Sequence, residues 1–86
     1  MSTAFFCKYI RMDAPAKIKD QLNDFGRNLR RARVNRQVTL EALSEKADLN
    51  IRTLQRIEAG QMNVLITTVI RLQQALGCPW QELFPR

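Results

Sequence analysis

Three side chains in the middle of the chain, Arg52, Gln55 and Arg56, belong to the types that read base edges in DNA. Their spacing of three and four residues places them on one side of an α-helix. An Arg guanidinium can bond to both O6 and N7 of guanine, and the neighbouring Ile51 can touch a thymine methyl group. Arg and Gln also cover ordinary solvated helix faces. Without further context, a solvated face is the better interpretation of these residues.

Two short amphipathic helices joined by a tight turn are predicted over residues 39–60. Thr39 is the predicted N-cap of the first helix and Asn50 that of the second, because each side chain can accept a hydrogen bond from a backbone amide of the following turn. Apolar residues recur every three or four positions behind each cap, which gives each helix one face for burial. They are Leu40, Leu43 and Ala47, then Ile51, Leu54 and Ile57. Only Asp48 and Leu49 remain for the turn, so the two helices must cross sharply.

From about Phe25 to Phe84, this succession of elements resembles the lambda-repressor-like family of helix-turn-helix regulators, also called the Xre family. The resemblance rests on FGRNLRRAR before the motif, on TLEALSEKADLNIRTLQRIEAG itself, and on VIRLQQALGCPWQELF after it. Ser44 and Asp48 stand where the family usually has Ala and Gly. Ser is nearly as small as Ala, and Asp can adopt the left-handed backbone conformation that such turns need. The resemblance implies an all-α domain of five helices that binds DNA.

The resemblance also implies which residues meet the bases and which hold the recognition helix in place. That helix would span about residues 51–58 and enter the major groove. The residues expected to face base edges are Ile51, Arg52, Gln55 and Arg56. Arg33 and Glu58 match the pair that ties the first helix to the end of the recognition helix. A guanidinium fork on two carboxylate oxygens suits such a partly buried ion pair, although two unrelated surface charges are the alternative.

Contacts to the DNA backbone are expected from helix starts and from the loop after the recognition helix. Thr39 and Asn50 stand at helix starts, where backbone amides attract an anion. Gln61 and Asn63 lie in the loop that approaches the phosphates in the family. A basic run on the first helix consists of Arg27, Arg30, Arg31 and Arg36. These arginines circle the helix, so they cannot all face DNA. All such contacts would set affinity and register without reading sequence.

Length and charge limit the classes of protein to which the chain can belong. Its 86 residues make one small unit, with an arm over residues 1–12 and a DNA-binding domain over residues 13–86. The formal net charge of +6 favours a polyanionic partner such as double-stranded DNA. An acidic membrane surface would satisfy the same balance. No segment approaches the length of a membrane span.

Enzymatic and metal-dependent functions have little support in the composition. The chain contains no His, and its two thiols, Cys7 and Cys78, are far apart and cannot supply four zinc ligands. It has neither a glycine-rich phosphate loop nor a nucleophile beside an evident base. We therefore expect no catalytic residue, no metal and no cofactor. Sparse cysteine and the lack of a signal-peptide pattern indicate the cytoplasm, with association to the nucleoid. The resemblance places Cys78 in the core.

The first twelve residues contain an unusual number of bulky apolar side chains. Phe5, Phe6, Tyr9 and Ile10 are too apolar for a solvated tail. Their order permits a short β-strand as well as the frayed end of a helix. We expect the arm to serve dimerisation, because a strand beside its twofold mate satisfies backbone and side chains together.

Local signals predict the remaining helices. Asp13 as N-cap and Pro15 in the first turn predict a long first helix from about Ala14 to Arg36, with a break near Gly26 as the alternative. The apolar stripe after the recognition helix predicts a fourth helix over residues 66–76 with a glycine at its end. A short fifth helix is expected to turn three residues inward: Trp80, Leu83 and Phe84.

Two functions from different classes follow. The first is a sequence-specific transcription regulator of the repressor type, a homodimer on a palindromic operator with half-sites about one helical turn apart. A free-standing repressor, an autoregulating controller of restriction-modification genes and a phage-type switch all fit it. The second is an antitoxin-type interaction module that neutralises a protein partner and autoregulates its operon. The apolar arm keeps this alternative open, and a toxin or a polymerase would then be the protein partner. An adjacent toxin gene, or an adjacent methylase or nuclease gene, would distinguish the two.

Overall fold

A computed structural model of the protein describes the backbone of residues 2–85 and the side chains of residues 17–85. Within this part of the chain the fold is all-α, with five helices and no strand. The helices are α1 (Ser2–Asn35), α2 (Leu40–Lys46), α3 (Ile51–Glu58), α4 (Ile66–Leu76) and α5 (Trp80–Leu83). The predicted five-helix architecture is confirmed. None of these helices is long and apolar enough to cross a membrane.

The start of α1 differs from the sequence-based expectation. The helix begins at Ser2 rather than Ala14, so Asp13 is not its N-cap, and the arm is neither a strand nor a separate element of the backbone. Pro15 lacks an N–H and removes one helical hydrogen bond. Residues 2–12, however, contain no Gly or Pro and several good helix formers, so the helix continues through them. The side chains predicted to dimerise lie outside the described side chains: Phe5, Phe6, Tyr9 and Ile10.

The core forms where α1 packs against α3 and α5, while α2 packs against α3 and α4. Helices α2, α3 and α4 contribute apolar faces with the predicted periodicity: Leu43, Leu54, Ile57, Val69, Leu72 and Leu76 are buried. The largest fully buried side chains are Leu29, Leu43, Leu54, Ile57, Leu72, Leu83 and Cys78. Cys78 is therefore a core residue, and burial raises the pKa of its thiol. A single core of this kind holds α2 and α3 in one fixed arrangement against α1.

Local capping sets the limits of the two central helices. The Thr39 hydroxyl accepts a hydrogen bond from the Ala42 amide at 3.0 Å, which caps α2. The side-chain oxygen Oδ1 of Asn50 accepts one from the Arg52 amide at 2.8 Å, which caps α3. Asp48, in the turn between them, has a φ of 57°, the left-handed conformation expected of it. The two caps and the left-handed turn residue together produce the sharp crossing of α2 and α3.

The short α5 faces the core less completely than the sequence predicts. Leu83 is buried, but 42% of Trp80 and 49% of Phe84 remain exposed. The ring of Phe84 stacks on the buried Phe25 with centroids 5.2 Å apart, and the Trp80 ring lies 6.3 Å further along the stack. A four-residue helix has too few positions to bury three large side chains. α5 therefore closes one end of the core and leaves an aromatic surface outside.

Candidate nucleic-acid interface

The recognition helix α3 has two faces with different surroundings. Leu54 and Ile57 are fully buried, so the inner face is part of the core. The predicted base-reading residues on the outer face are exposed: Arg52, Gln55 and Arg56. Ile51 is half-buried at the start of the helix. Within residues 17–85, Arg52 and Arg56 take part in no ion pair. The outer face therefore offers two free guanidinium groups and one amide to a ligand.

An ion pair ties the end of α3 to α1. Arg33 Nε donates to one Glu58 carboxylate oxygen at 2.7 Å, and Nη2 donates to the other at 3.2 Å. The remaining Nη1 donates to the Val38 carbonyl at 2.9 Å. Only 11% of the Arg33 side chain and 8% of the Glu58 side chain are exposed. A shielded fork of this geometry fixes direction as well as distance. The ion pair therefore sets the angle between α3 and α1.

Gly26 allows α1 to come unusually close to the last residues of α3, Ile57 and Glu58. A Cβ at Gly26 would lie 2.5 Å from the carbonyl oxygens of both Ile57 and Glu58. Helix α1 continues through Gly26 without the break that its sequence allowed. The glycine is thus required by the close approach of two backbones rather than by a bend. With the ion pair, it fixes the position of the C-terminal end of α3.

The predicted phosphate-contacting residues lie at the two helix starts and in the loop after α3. Thr39 and Asn50 are exposed, and their side-chain oxygens cap α2 and α3. Gln61 and Asn63 are exposed in the loop that begins at Gly60. Gly60 has a φ of 72°, and a side chain there would collide with Asn23 of α1. The left-handed turn at Gly60 therefore fixes the direction in which the chain leaves α3 and enters the loop.

The basic run on α1 divides into residues that the fold uses and residues that it leaves free. Arg27 pairs with Asp24 on the exposed surface at 2.5 Å. Arg36 donates to both oxygens of the Glu82 carboxylate, at 2.9 and 2.6 Å. Arg30 and Arg31 are exposed, and their side chains bond to no residue within residues 17–85. The run is therefore not one continuous surface for DNA.

Sequence reasoning missed the Arg36–Glu82 pair. It joins the end of α1 to α5, and Arg36 also donates to the Ala32 carbonyl at 3.1 Å. The hydrogen bond from Arg36 holds the pKa of the Glu82 carboxyl below its usual value. The two residues are separated by 46 positions, and no local signal links them. Arg36 is therefore a structural residue in the isolated chain.

A second surface that sequence reasoning missed lies at the start of α4. Leu65 and Ile66 are 74% and 69% exposed, and Ile70, one turn later, is also exposed. The predicted stripe of α4 is turned to the core, with Val69 and Leu72 buried. The sequence carries the signal for this second apolar side, because Ile66 and Ile70 are one turn apart and lie outside the predicted stripe. It gives α4 an uncovered apolar edge.

The sharp α2–α3 crossing, the exposed cationic face of α3 and the Arg33–Glu58 tie define a helix-turn-helix DNA-binding protein. The helix-turn-helix family model matches residues 29–83. The chain belongs to this family, and to its Xre or lambda-repressor-like branch, and it is a DNA-binding transcription regulator.

A solved structure with the same fold is the restriction-modification controller protein C.AhdI from Aeromonas hydrophila. The two chains share 32% sequence identity with a TM-score of 0.70, over 73% of this chain and 96% of the controller protein. A comparison with curated proteins finds no match.

Proposed function

We propose that the protein is a sequence-specific regulator that binds a palindromic operator as a symmetric dimer, with α3 in the major groove. The observation that carries this proposal is the outer face of α3, where Arg52, Gln55 and Arg56 are exposed on a helix locked by its inner face. Guanidinium forks suit guanine, and the amide of Gln55 suits adenine. A helix fixed against the core presents these groups in one register, which base readout requires.

The dimer follows from the size of the reading surface and from the apolar surface around it. One recognition helix covers only a few base pairs, and twofold pairing places two helices about one DNA turn apart. A small chain seldom leaves large apolar side chains uncovered. The arm of residues 1–12 is the interface that we favour. The aromatic surface of Trp80 and Phe84 is the alternative.

Within this class, we favour an autoregulating controller of restriction-modification genes. The argument is the likeness to C.AhdI, which spans nearly the whole of that controller protein at 32% identity. The genes beside this one test the assignment directly. An adjacent methylase or nuclease gene is expected. An adjacent toxin gene would instead support the antitoxin-type module, in which neutralising a protein partner is the main task.

Selection of bound duplexes from random DNA tests the operator. We expect recovered sequences to contain two inverted half-sites about one helical turn apart, and their G positions to depend on Arg52 and Arg56. The matched control is the double variant R52A/R56A, which keeps the buried face of α3 intact. Recovery of the same motif by this variant, or of no motif by the wild-type protein, would contradict the proposal.

A further inference from the structure

The arginines at positions 27–36, in the second half of α1 and directly after its end, differ in whether the fold engages them. Arg27, Arg33 and Arg36 each hold a carboxylate oxygen within 2.7 Å. Arg30 and Arg31 are exposed and form no ion pair or hydrogen bond within residues 17–85. A free guanidinium on a rigid helix keeps all its donors for a ligand. Among the arginines at positions 27–36, Arg30 and Arg31 therefore remain available for binding.

Only one of these two lies beside the recognition helix. Arg30 lines a surface groove between α1 and α3, together with Gln55 from the outer face of α3 and Leu40 at the start of α2. Arg31 does not line this groove, because consecutive residues of an α-helix point about 100° apart. The groove therefore runs from a predicted base-reading residue to the helix start beside Thr39, where a phosphate contact is expected.

The charge of the groove comes from Arg30. Its other charged lining residues, Arg33 and Glu58, neutralise each other in their shielded ion pair. The groove thus carries one uncompensated positive charge next to the face that enters DNA. The phosphates along the edge of a major groove are the anions nearest to an inserted helix, and the guanidinium fork matches two of their oxygens.

We propose that Arg30 binds a phosphate of the DNA strand that borders the major groove, in the groove between α1 and α3. The assignment rests on the proposed function, because α3 must enter the major groove for Arg30 to reach that strand. Arg31 carries the same charge one residue later and makes no such contact. Arg30 raises affinity for every sequence alike, since a phosphate contact carries no base information.

The salt dependence of binding tests the assignment. Binding constants are measured for wild type, R30A, R31A and R30K over a series of salt concentrations. The two probes are a duplex selected from random DNA and a scrambled duplex of the same length. R30A is expected to reduce the slope of log K against log salt by about 0.9 for each chain bound, on both duplexes. R31A is expected to keep the wild-type slope, and R30K to keep most of it because the charge remains.

The urea midpoints of all variants are expected to match wild type, because both arginines are exposed and free. Equal slopes for R30A and wild type, or equal losses in R30A and R31A, would overturn the role of Arg30. Equal binding of the selected and scrambled duplexes by the wild-type protein would overturn the proposed function instead. The comparison of R30A with R31A on the scrambled duplex would still decide whether Arg30 touches phosphate.

Discussion

Arg36 and Glu82 join the end of α1 to α5 through two hydrogen bonds, from Nη1 at 2.9 Å and from Nη2 at 2.6 Å. About a third of each side chain is exposed, so water weakens the attraction between the charges. The geometry is nevertheless that of a guanidinium fork on a carboxylate, the arrangement in which direction is best defined. The pair holds α5, and with it the aromatic stack on Phe25, against α1.

This pair predicts a pH dependence of stability. The folded state lowers the pKa of Glu82, chiefly through the hydrogen bond from Arg36. The contribution is therefore present above the ordinary glutamate pKa and is lost as pH falls through the lowered one. E82Q removes the titrating group, so its urea midpoint should fall less than that of wild type between about pH 5 and pH 2. Parallel profiles for the two proteins would show that the pair does not couple to folding.

The tie between α1 and α3 predicts a difference between two glutamates. E58A leaves the largely buried Arg33 guanidinium without its carboxylate, and we expect a loss of about 1–3 kcal/mol in the free energy of unfolding. E45A removes an exposed carboxylate from α2 that pairs with no residue within residues 17–85, and should change stability by less than about 0.5 kcal/mol. Urea denaturation checks both. Equal midpoints for E58A and E45A would contradict a structural role for the ion pair.

The close approach at Gly26 predicts an effect opposite in sign to helix propensity. Ala is a better helix former than Gly by about 1 kcal/mol, so G26A would stabilise an isolated helix. Here the added methyl meets two backbone carbonyl oxygens, which cannot move without shifting α3. We expect a net destabilisation of about 1–3 kcal/mol, together with weaker operator binding. The control is Q21A, which introduces Ala at an exposed position of the same helix. A G26A protein more stable than wild type would contradict the close contact.

The outer face of α3 predicts losses of specificity without losses of stability. R52A and R56A should each weaken binding to the selected duplex by about 1–3 kcal/mol and relax the preference at one base position. T39A should weaken binding to selected and scrambled duplexes by the same factor, since Thr39 is expected to contact a DNA phosphate rather than a base. Titrations with single-base variants of the duplex measure both effects. Unchanged preference in both arginine variants would show that another surface reads the bases.

The arm predicts a change in oligomeric state. Deleting residues 2–12 removes the segment that we propose as the dimer interface, and leaves the described core residues in place. Sedimentation should then shift toward the monomer, and operator binding should weaken, because two linked reading helices bind more tightly than one. W80A is the matched variant on the other apolar surface. A truncated protein that stays dimeric while W80A dissociates would place the interface on α5.

Short-range signals in the sequence predict α3 and α4 to the residue, because the interactions that limit them join neighbours. The Asn50 side chain caps an amide two residues later, and Gly77 ends α4 with a φ of 66°. The start of α1 could not be predicted in this way. Asp13 and Pro15 resemble a helix start locally, but nothing in the residues before them breaks the helix.

Contacts between distant residues could be predicted only where a family pattern links them. Arg33 and Glu58 follow such a pattern, and the structure brings them together. Arg36 and Glu82 follow none, so the sequence placed Arg36 only in a basic run and gave no sign of its ion pair. The role of Gly26 could not be predicted either. A glycine within a helix indicates a possible break, and its close contact with the backbone of α3 is known only from the structure.

The separation of the two faces of α3 has a consequence for how such proteins diverge. The fold uses Leu54 and Ile57, and the ion pair with α1 uses Glu58. The fold makes no demand on the three exposed positions of the outer face, Arg52, Gln55 and Arg56. Substitutions at those positions are close to neutral for folding, as is usual for exposed helix residues. After gene duplication, one copy can therefore acquire a different operator through a few changes while its stability is unaltered. Related regulators can in this way come to control separate genes within one cell without interfering with each other.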